Sequence, residues 1–306
     1  MSSLKIFLAC VLLVTACFAA DEARILRNSA VADATLRLFV DGDIVTDFLK
    51  NADAALDLRM KASAEAPLSE KERKSLEASR SFLALAREFD LRGIHFSMAF
   101  PEGGFPTGCI AMRLGKPVDL NRLADELRKA DTANSMMVQN PRNGRISLAM
   151  NMATLSSLDN GKLLLFAATA STDTLQQAIT AGTVPTCPAA VRNMNMQGPF
   201  FAYLVKDNGL VQFLRIVEAS LGKVNDLIGN IPESCYASVF ARDKTAVLQV
   251  RVDFASEELA VKNLKSFTDA AGDVPNLTVT RTGKIVEGIW ENKDGKLPFL
   301  DLKPQK

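Results

Sequence analysis

Two carboxylates one residue apart are the side chains in this sequence best placed to do chemistry. Asp41 and Asp43 flank Gly42 at the end of a short apolar run at 38–40. Carboxylate oxygens at the end of a strand are ligands for a hard divalent cation, and a carboxylate can also act as a nucleophile. The same residues also suit the start of a helix, where Asp accepts from free amides and complements the helix dipole. We favour the helix start.

The Asp-x-Asp layout resembles the opening motif of the haloacid-dehalogenase-type phosphatases. That family also needs a Ser or Thr after a second strand, a Lys and a late acidic pair, on a parallel sheet. The hairpins predicted below imply antiparallel strands, so we do not expect this activity. A cation site formed by Asp41, Asp43 and Asp47 stays open. So does an exported metal-dependent hydrolase that uses Asp41 and Asp43, with Glu102 as a third candidate.

Other catalytic groups are scarce. The chain contains a single histidine, His95, in the middle of a predicted strand next to Phe96, and it contains no G-x-S-x-G motif. A nucleophilic triad needs a base that orients its nucleophile, and a multi-histidine zinc site needs more than one histidine. We therefore expect a satisfied strand histidine, no catalytic residue, no metal site and no cofactor.

Methionine pairs are the most unusual enrichment in the composition. Met150 and Met152 form one Met-x-Met pair, and Met194 and Met196 form another. Thioethers select Cu(I), and flexible methionines also line adaptable apolar grooves. Residues two apart on a strand share one face, which is often the buried one. We favour a core role, with an apolar groove and a copper-binding protein as alternatives.

The first twenty residues predict export. One Lys precedes an apolar run at 6–20, the pattern of a secretory signal peptide. Residues 14–17, Val-Thr-Ala-Cys, resemble a bacterial lipobox, which would make Cys17 a lipidated first residue. The alternative is cleavage after Ala19 or Ala20, which discards Cys17. We expect a periplasmic or cell-envelope protein that is lipid-anchored through Cys17, or else a secreted one.

Charge and cysteine content exclude some partners. Lys and Arg number 36, Asp and Glu number 35, and the net charge is +1. A nucleic-acid-binding protein needs a basic stripe, which this sequence lacks, so we expect no nucleic acid. Cys187 and Cys235 either form a disulfide or, as we favour, stay free like Cys109, as small buried residues.

The order of predicted elements repeats along the chain. Each half has a strand, a helix, two strands, a helix and a strand, followed by one further strand. The ranges with strand patterns are 36–40, 93–100, 107–114, 145–151, 162–169, 200–205, 233–241, 245–254, 277–281 and 284–290. The ranges with helical patterns are 41–60, 69–90, 117–130, 172–181, 209–228 and 256–270, and Ser256 is the expected N-cap of the last one.

Strand–helix–strand repeated twice is the order of the ferredoxin-like fold. We therefore predict an α+β protein built from a tandem pair of ferredoxin-like domains with mainly antiparallel sheets. The boundaries are a signal peptide at 1–20, a first domain at 31–183 with an extra helix at 69–90, a linker at 184–198, a second domain at 199–292 and a tail at 293–306.

A fold shared by many functions identifies none of them. The scarcity of catalytic groups, the neutral charge and the repeat favour a non-catalytic envelope protein. We expect it to bind a partner protein or an apolar ligand in the cleft between its domains, or to serve a structural role.

Overall fold

The computed structural model describes residues 22–62, 69–130, 137–150, 152–221, 231–242, 245–272 and 275–292. Within these residues, eleven strands form a single sheet in the order β10-β11-β9-β8-β7-β1-β2-β3-β6-β5-β4. Every neighbouring pair of strands is antiparallel.

The strands are β1 (Leu36–Asp41), β2 (Leu91–Ala99), β3 (Thr107–Leu114), β4 (Arg145–Leu148), β5 (Ala153–Leu158), β6 (Leu163–Ala168), β7 (Phe200–Val205), β8 (Ser234–Arg242), β9 (Thr245–Asp253), β10 (Leu277–Thr282) and β11 (Ile285–Asn292). The helices are α1 (Glu22–Asn28), α2 (Asp43–Ala62), α3 (Glu70–Glu88), α4 (Leu120–Ala130), α5 (Thr169–Thr180), α6 (Asn208–Leu221) and α7 (Glu257–Ala271). Two 3₁₀ turns lie at Asp159–Gly161 and Ala189–Val191.

The prediction of a tandem pair of ferredoxin-like domains is wrong, although the α+β class is correct. A ferredoxin-like unit is a split βαβ unit, in which another strand separates the first strand from the second. Here β1 lies directly beside β2 and antiparallel to it, and β7 lies beside β8 in the same way. The predicted order of elements occurs in the structure, but the strands pair differently.

In the first half, a second helix explains why β2 is antiparallel to β1. Arg80 pairs with Asp57, and Arg87 pairs with Asp53, so α2 and α3 pack antiparallel to each other. One helix after β1 would carry the chain to the opposite end of the sheet and favour a parallel neighbour. Two helices return the chain to the end it left, so β2 enters antiparallel to β1.

The two halves meet in the middle of the sheet. Strand β1 pairs with β7, with Phe39 opposite Phe201. The rings of these two residues stack with centroids 5.0 Å apart. The backbone ladder is therefore continuous from one half to the other. The division into domains at 31–183 and 199–292 stays a prediction.

Helices cover both faces of the sheet. On one face, α1, α5 and residues from the 184–198 segment close a core that includes Leu26, Leu175, Val191 and Met194. On the opposite face, α2, α3 and α4 pack on the first half of the sheet, and α7 packs on the second half. We call the face that carries α1 the α1 face.

Most predicted elements are present with small shifts at their ends, and one strand was missed. β5 (Ala153–Leu158) falls between the predicted strands at 145–151 and 162–169. The turn before β5 contains Ala149 and Met150 at positive φ, 49° and 55°. Glycine and asparagine are the usual residues at such φ values, so this turn carries no recognisable turn signal.

Candidate functional site

A charged cleft lies where several strands end beside α1. Its volume is about 600 Å³, and residues from six parts of the chain line it. These are α1, the β1–α2 turn with the start of α2, the α3–β2 turn with the start of β2, the end of β3, the 3₁₀ turn at Asp159–Gly161 and the start of β6. The charged lining residues are Asp43, Asp90, Asp159, Arg92, Arg113 and Lys162.

A buried ion pair forms one side of this region. The Arg113 guanidinium donates from Nη2 (2.6 Å) and from Nε (3.1 Å) to the same carboxylate oxygen, Oδ1 of Asp41. Both side chains are largely withdrawn from solvent. A charge in such a place is tolerated only when it is paired. Asp41 is therefore held by a structural contact, and it is not the free helix cap or metal ligand that its position also allowed.

Two glycines make room for the acidic groups near the cleft. A Cβ at Gly93 would collide with Asp41 Oδ1 and with the Leu26 side chain, and one at Gly115 would collide with the Asp90 carboxylate. Gly93 is the residue of β2 directly opposite Asp41. Absence of a side chain there lets the Asp41 carboxylate turn along the sheet toward β3, where Arg113 lies.

The remaining charges divide into paired and unpaired groups. Arg92 Nη2 contacts Asp90 Oδ2 at 2.8 Å. Asp43, Asp159 and Lys162 are exposed on the cleft, and none of the three forms an ion pair within the described part of the chain. The cleft thus presents free charges of both signs to solvent.

The rim of the cleft is built from turns with left-handed backbone. Asp90, Asp159 and Asn160 have φ values of 55°, 47° and 51°. Asp and Asn enter this region more readily than other non-glycine residues, because their short polar side chains bond locally. These turns place the Asp90 and Asp159 side chains on the cleft.

A second polar group is buried beneath α1. Arg37 on β1 donates from Nε to Nε2 of His95 at 3.2 Å and from Nη2 to the Arg27 carbonyl at 3.2 Å. Its guanidinium also lies over the rings of Phe201 and Tyr203. Cation–π contacts and hydrogen bonds of this kind compensate part of the cost of burying a cation.

The hydrogen bonds of His95 define its protonation state. Because Nε2 accepts from Arg37, the proton lies on Nδ1, which donates to the Leu26 carbonyl at 2.8 Å. The pKa of His95 is lowered to about 3, mainly because the ring is buried and also because the Arg37 charge lies nearby. His95 is thus a neutral structural residue in the middle of β2, as the sequence predicted for a satisfied strand histidine.

The structure does not bring the three candidate hydrolase carboxylates together. Asp43 opens α2 on the cleft, and Asp41 is paired with Arg113. Glu102 lies beyond the opposite end of β2, where its Oε1 accepts from Asn208 Nδ2 at 2.6 Å. Asp47 contacts Lys50 at 3.5 Å. Among the described residues, no group of three or more His, Cys, Asp or Glu side chains is arranged to hold a metal ion.

The methionine pairs occupy different environments. Met150 and Met152 are exposed at the turn between β4 and β5, whereas Met194 is buried in the core under α1 and Met196 packs against that core. The core role predicted from the sequence fits Met194 and Met196 but not Met150 and Met152. Copper binding stays a prediction, which the burial of Met194 disfavours.

The last predictions concern the cysteines and the N-terminal signal peptide. Cys109, Cys187 and Cys235 are all free thiols, and Cys109 and Cys235 are buried. Cys17 and residues 1–20 lie outside the described residues, so lipidation stays a prediction. No helix in the described ranges combines the length and the apolar character needed to cross a membrane.

Sequence reasoning missed the basic residues of the cleft. Arg92, Arg113 and Lys162 come from β2, the end of β3 and the start of β6, and they are distant in sequence from Asp43. Arg113 carried one usable signal, because a charged residue within an apolar strand pattern needs a partner. The pattern could not name Asp41 as that partner, since the order of the strands was not known.

Comparisons with known proteins give little further help. No family model and no curated protein matches this chain. Three crystal forms of the treponemal protein TP0453 resemble it. Form III has a TM-score of 0.46 at 10% identity and covers 87% of this chain and 94% of TP0453. Form I has a TM-score of 0.43 at 7% identity and covers 90% and 95%. Form IV has a TM-score of 0.45 at 8% identity and covers 88% and 93%. We base no argument on a likeness this distant.

Proposed function

We propose that this chain is an exported, non-catalytic binding protein whose charged cleft holds a small polar ligand with charges of both signs. The observation that carries the proposal is that the cleft has exposed charges of both signs that are not paired with each other. Asp41 and Arg113 neutralise each other inside the protein, while Asp43, Asp159 and Lys162 stay unpaired and exposed on its lining. A ligand bearing both a cation and an anion complements such a surface.

The placement of the ionisable groups supports a non-catalytic role. A general base needs a free lone pair within reach of its substrate. Both ring nitrogens of His95 are engaged inside the protein, and Asp41 is tied to Arg113. Glu102 lies at the other end of the sheet from Asp43, so the pair cannot act on one substrate.

The dimensions and lining of the cleft favour a small polar ligand over an apolar one. A volume of about 600 Å³ lies within the usual range for small-molecule sites. Apolar ligands need largely apolar walls, whereas this lining is dominated by carboxylates and basic groups. The apolar ligand expected between two domains has less support, because the halves meet through a continuous sheet at β1 and β7.

Binding can be tested with zwitterions of known structure. We would titrate the chain with free amino acids and with the dipeptide glutamyl-lysine, following heat by calorimetry. Lys162→Ala and Asp43→Ala remove one exposed charge of each sign from the lining. Each should weaken binding about fivefold, since a partly exposed ion pair contributes about 1 kcal/mol.

Lys262→Ala is the matched control, because Lys262 is exposed on α7, away from the cleft. It should leave binding unchanged. The absence of heat with every zwitterion, or equal binding by all variants, would contradict the proposed ligand class. Conversion of the dipeptide to its amino acids would contradict the non-catalytic role.

Export and anchoring are supported by the sequence of residues 1–20. The intact mass of protein taken from its own cell envelope distinguishes the two routes of processing. A chain that begins at Cys17 with added acyl groups is the lipoprotein we propose. A chain that begins near Ala20 is an unanchored secreted form, and an unprocessed chain would contradict export.

A further inference from the structure

The two edges of the sheet differ in how their backbone groups are satisfied. At one edge, residues before β4 cover that strand: the Gln139 amide donates to the Ser147 carbonyl, and Arg142 exchanges two hydrogen bonds with Arg145. At the other edge, no segment of the described chain pairs with the outer side of β10. The side chains of β10 are mostly exposed.

The register identifies the backbone groups of β10 that point outward. The Glu291 amide donates to the Asn276 carbonyl, and the two residues are directly opposite in the β10–β11 ladder. In an antiparallel ladder, hydrogen-bonded pairs alternate with non-hydrogen-bonded pairs, so every second residue after Asn276 bonds to β11. These residues are Thr278, Thr280 and Thr282. Leu277, Val279 and Arg281 therefore point their amides and carbonyls away from the sheet.

An independent bond on the other side of β11 confirms this alternation. The Phe254 amide donates to the Lys284 carbonyl, so even-numbered residues of β11 bond to β9 and odd-numbered ones bond to β10. Both observations leave the same outward residues on β10. Arg281 does not shield them, because its guanidinium bonds to the Gly283 carbonyl in the adjacent turn.

We propose that the open edge of β10 pairs with β10 of a second copy, which forms a symmetric antiparallel dimer. An exposed edge strand is a template for pairing, and a twofold dimer brings the same patch of both subunits together. The outward amides and carbonyls of the two copies can bond to each other in one alignment. In it, Val279 faces Val279 of the second copy across the twofold axis. Leu277 then faces Arg281 of the second copy.

The side chains of β10 are compatible with this alignment. No two like charges meet, since each Arg281 lies opposite a leucine. Thr278 lies opposite Thr280 of the second copy on the α1 face, in a non-hydrogen-bonded pair where side chains approach most closely. Threonine pairs in this position stabilise antiparallel ladders. The strand contains no proline, whose missing amide would interrupt the new ladder.

The dimer should be weak and reversible, because six-residue strands bury little surface compared with a typical stable interface. Sedimentation equilibrium of the full chain, from low to several hundred micromolar, measures it directly. We expect a concentration-dependent dimer. Val279→Pro removes an outward amide and keeps the bonds to β11, so it should weaken the dimer about tenfold or more.

Val279→Lys provides a second disrupting variant, since it places two ammonium groups together at the twofold axis. Val250→Lys is its matched control, because Val250 is also a half-buried valine that packs on the core under α7, but it lies on β9, inside the sheet. The control should dimerise like the parent protein. A monomer at every concentration, or a dimer that both Val279 variants leave intact, would overturn the proposal.

Amide hydrogen exchange resolves the strand involved. Thr278, Thr280 and Thr282 should be protected at all concentrations, whereas Leu277, Val279 and Arg281 should become protected only as the dimer forms. Protection of the outward amides in a monomer would show that the edge has another occupant, such as a foreign peptide or the chain's own tail. That result would also overturn the proposal.

Discussion

The first strands of the two halves, β1 and β7, end in ion pairs that differ in burial. Asp41 pairs with Arg113, with 6% and 13% of their side chains exposed. Lys206, which follows β7, pairs with Glu233, with 22% and 42% exposed. Gly93 is the residue of β2 that lies opposite Asp41, whereas the residue that lies opposite Lys206 is its ion-pair partner, Glu233.

This difference shows how one residue changes the local electrostatics. Where the opposite residue is Glu233, the pair forms directly across the strand ends and stays at the surface. Where the opposite residue is Gly93, the Asp41 carboxylate pairs with Arg113 on β3, one strand beyond β2, and Leu26 of α1 lies beside the pair. A buried pair is costly to break, and an exposed one is not.

The largest effect should follow from breaking the buried pair. Asp41→Asn leaves the Arg113 charge buried without a counter-ion, so it should reduce the free energy of unfolding by about 3–5 kcal/mol. Urea titration measures this loss. Replacing both residues, with Asp41→Leu and Arg113→Met, should recover much of it. A loss below about 1 kcal/mol for Asp41→Asn would show that the pair behaves like a surface contact.

The second largest effect should be a pH dependence of stability that comes from the first half and not from the second. His95 lies opposite Phe39, and the equivalent residue opposite Phe201 is Ser238, which does not titrate in this range. The pKa of His95 is about 3 in the folded protein, below its ordinary 6.5, so the unfolded chain binds the additional proton between these values. Stability is therefore complete above pH 6.5 and falls as the pH decreases, by about 2 kcal/mol at pH 5.

The single imidazole can be followed by NMR without assignment ambiguity, because the chain has no other histidine. Its nitrogen shifts should report the Nδ1–H tautomer and no protonation between pH 7 and 5. Titration near pH 6.5 in the folded protein would contradict the buried, neutral imidazole.

A smaller effect should follow from filling the space beside Asp41. Gly93→Ala places a methyl group against the Asp41 carboxylate and Leu26, and such overpacking costs about 1–3 kcal/mol. Thermal unfolding measures the change. Gly272→Ala is the matched control, since Gly272 has an ordinary φ of −57° and its nearest neighbour would be 3.6 Å away. Equal stability of the two variants would show that the space beside Asp41 is not needed.

The smallest effect should come from the exposed pair of the second half. Lys206→Met removes the charge and keeps most of the aliphatic side chain, so it should change the free energy of unfolding by no more than about 1 kcal/mol. Adding salt should reduce that difference further. A loss as large as that of Asp41→Asn would remove the distinction between the halves.

The local elements could be predicted because their signals are local. Ser256 caps α7, as predicted, and its Oγ accepts from the Leu259 amide at 3.2 Å. The hairpin of β2 and β3 follows from two alternating runs joined by the turn sequence Pro-Glu-Gly-Gly at 101–104. The missed strand β5 had no such signal, because its preceding turn places Ala149 and Met150 at positive φ.

The sequence by itself determined most of the order of strands and helices and the place of the lone histidine in a strand, because these depend on periodicity, turn residues and composition. The neutrality of His95 depends on its burial in the tertiary structure. Tertiary structure alone decided which strands are neighbours; in the first half, the antiparallel packing of α2 on α3 turns β2 antiparallel to β1. It also decided the partner of Asp41, because Arg113 is 72 residues away in sequence and becomes adjacent only when β3 lies two strands from β1.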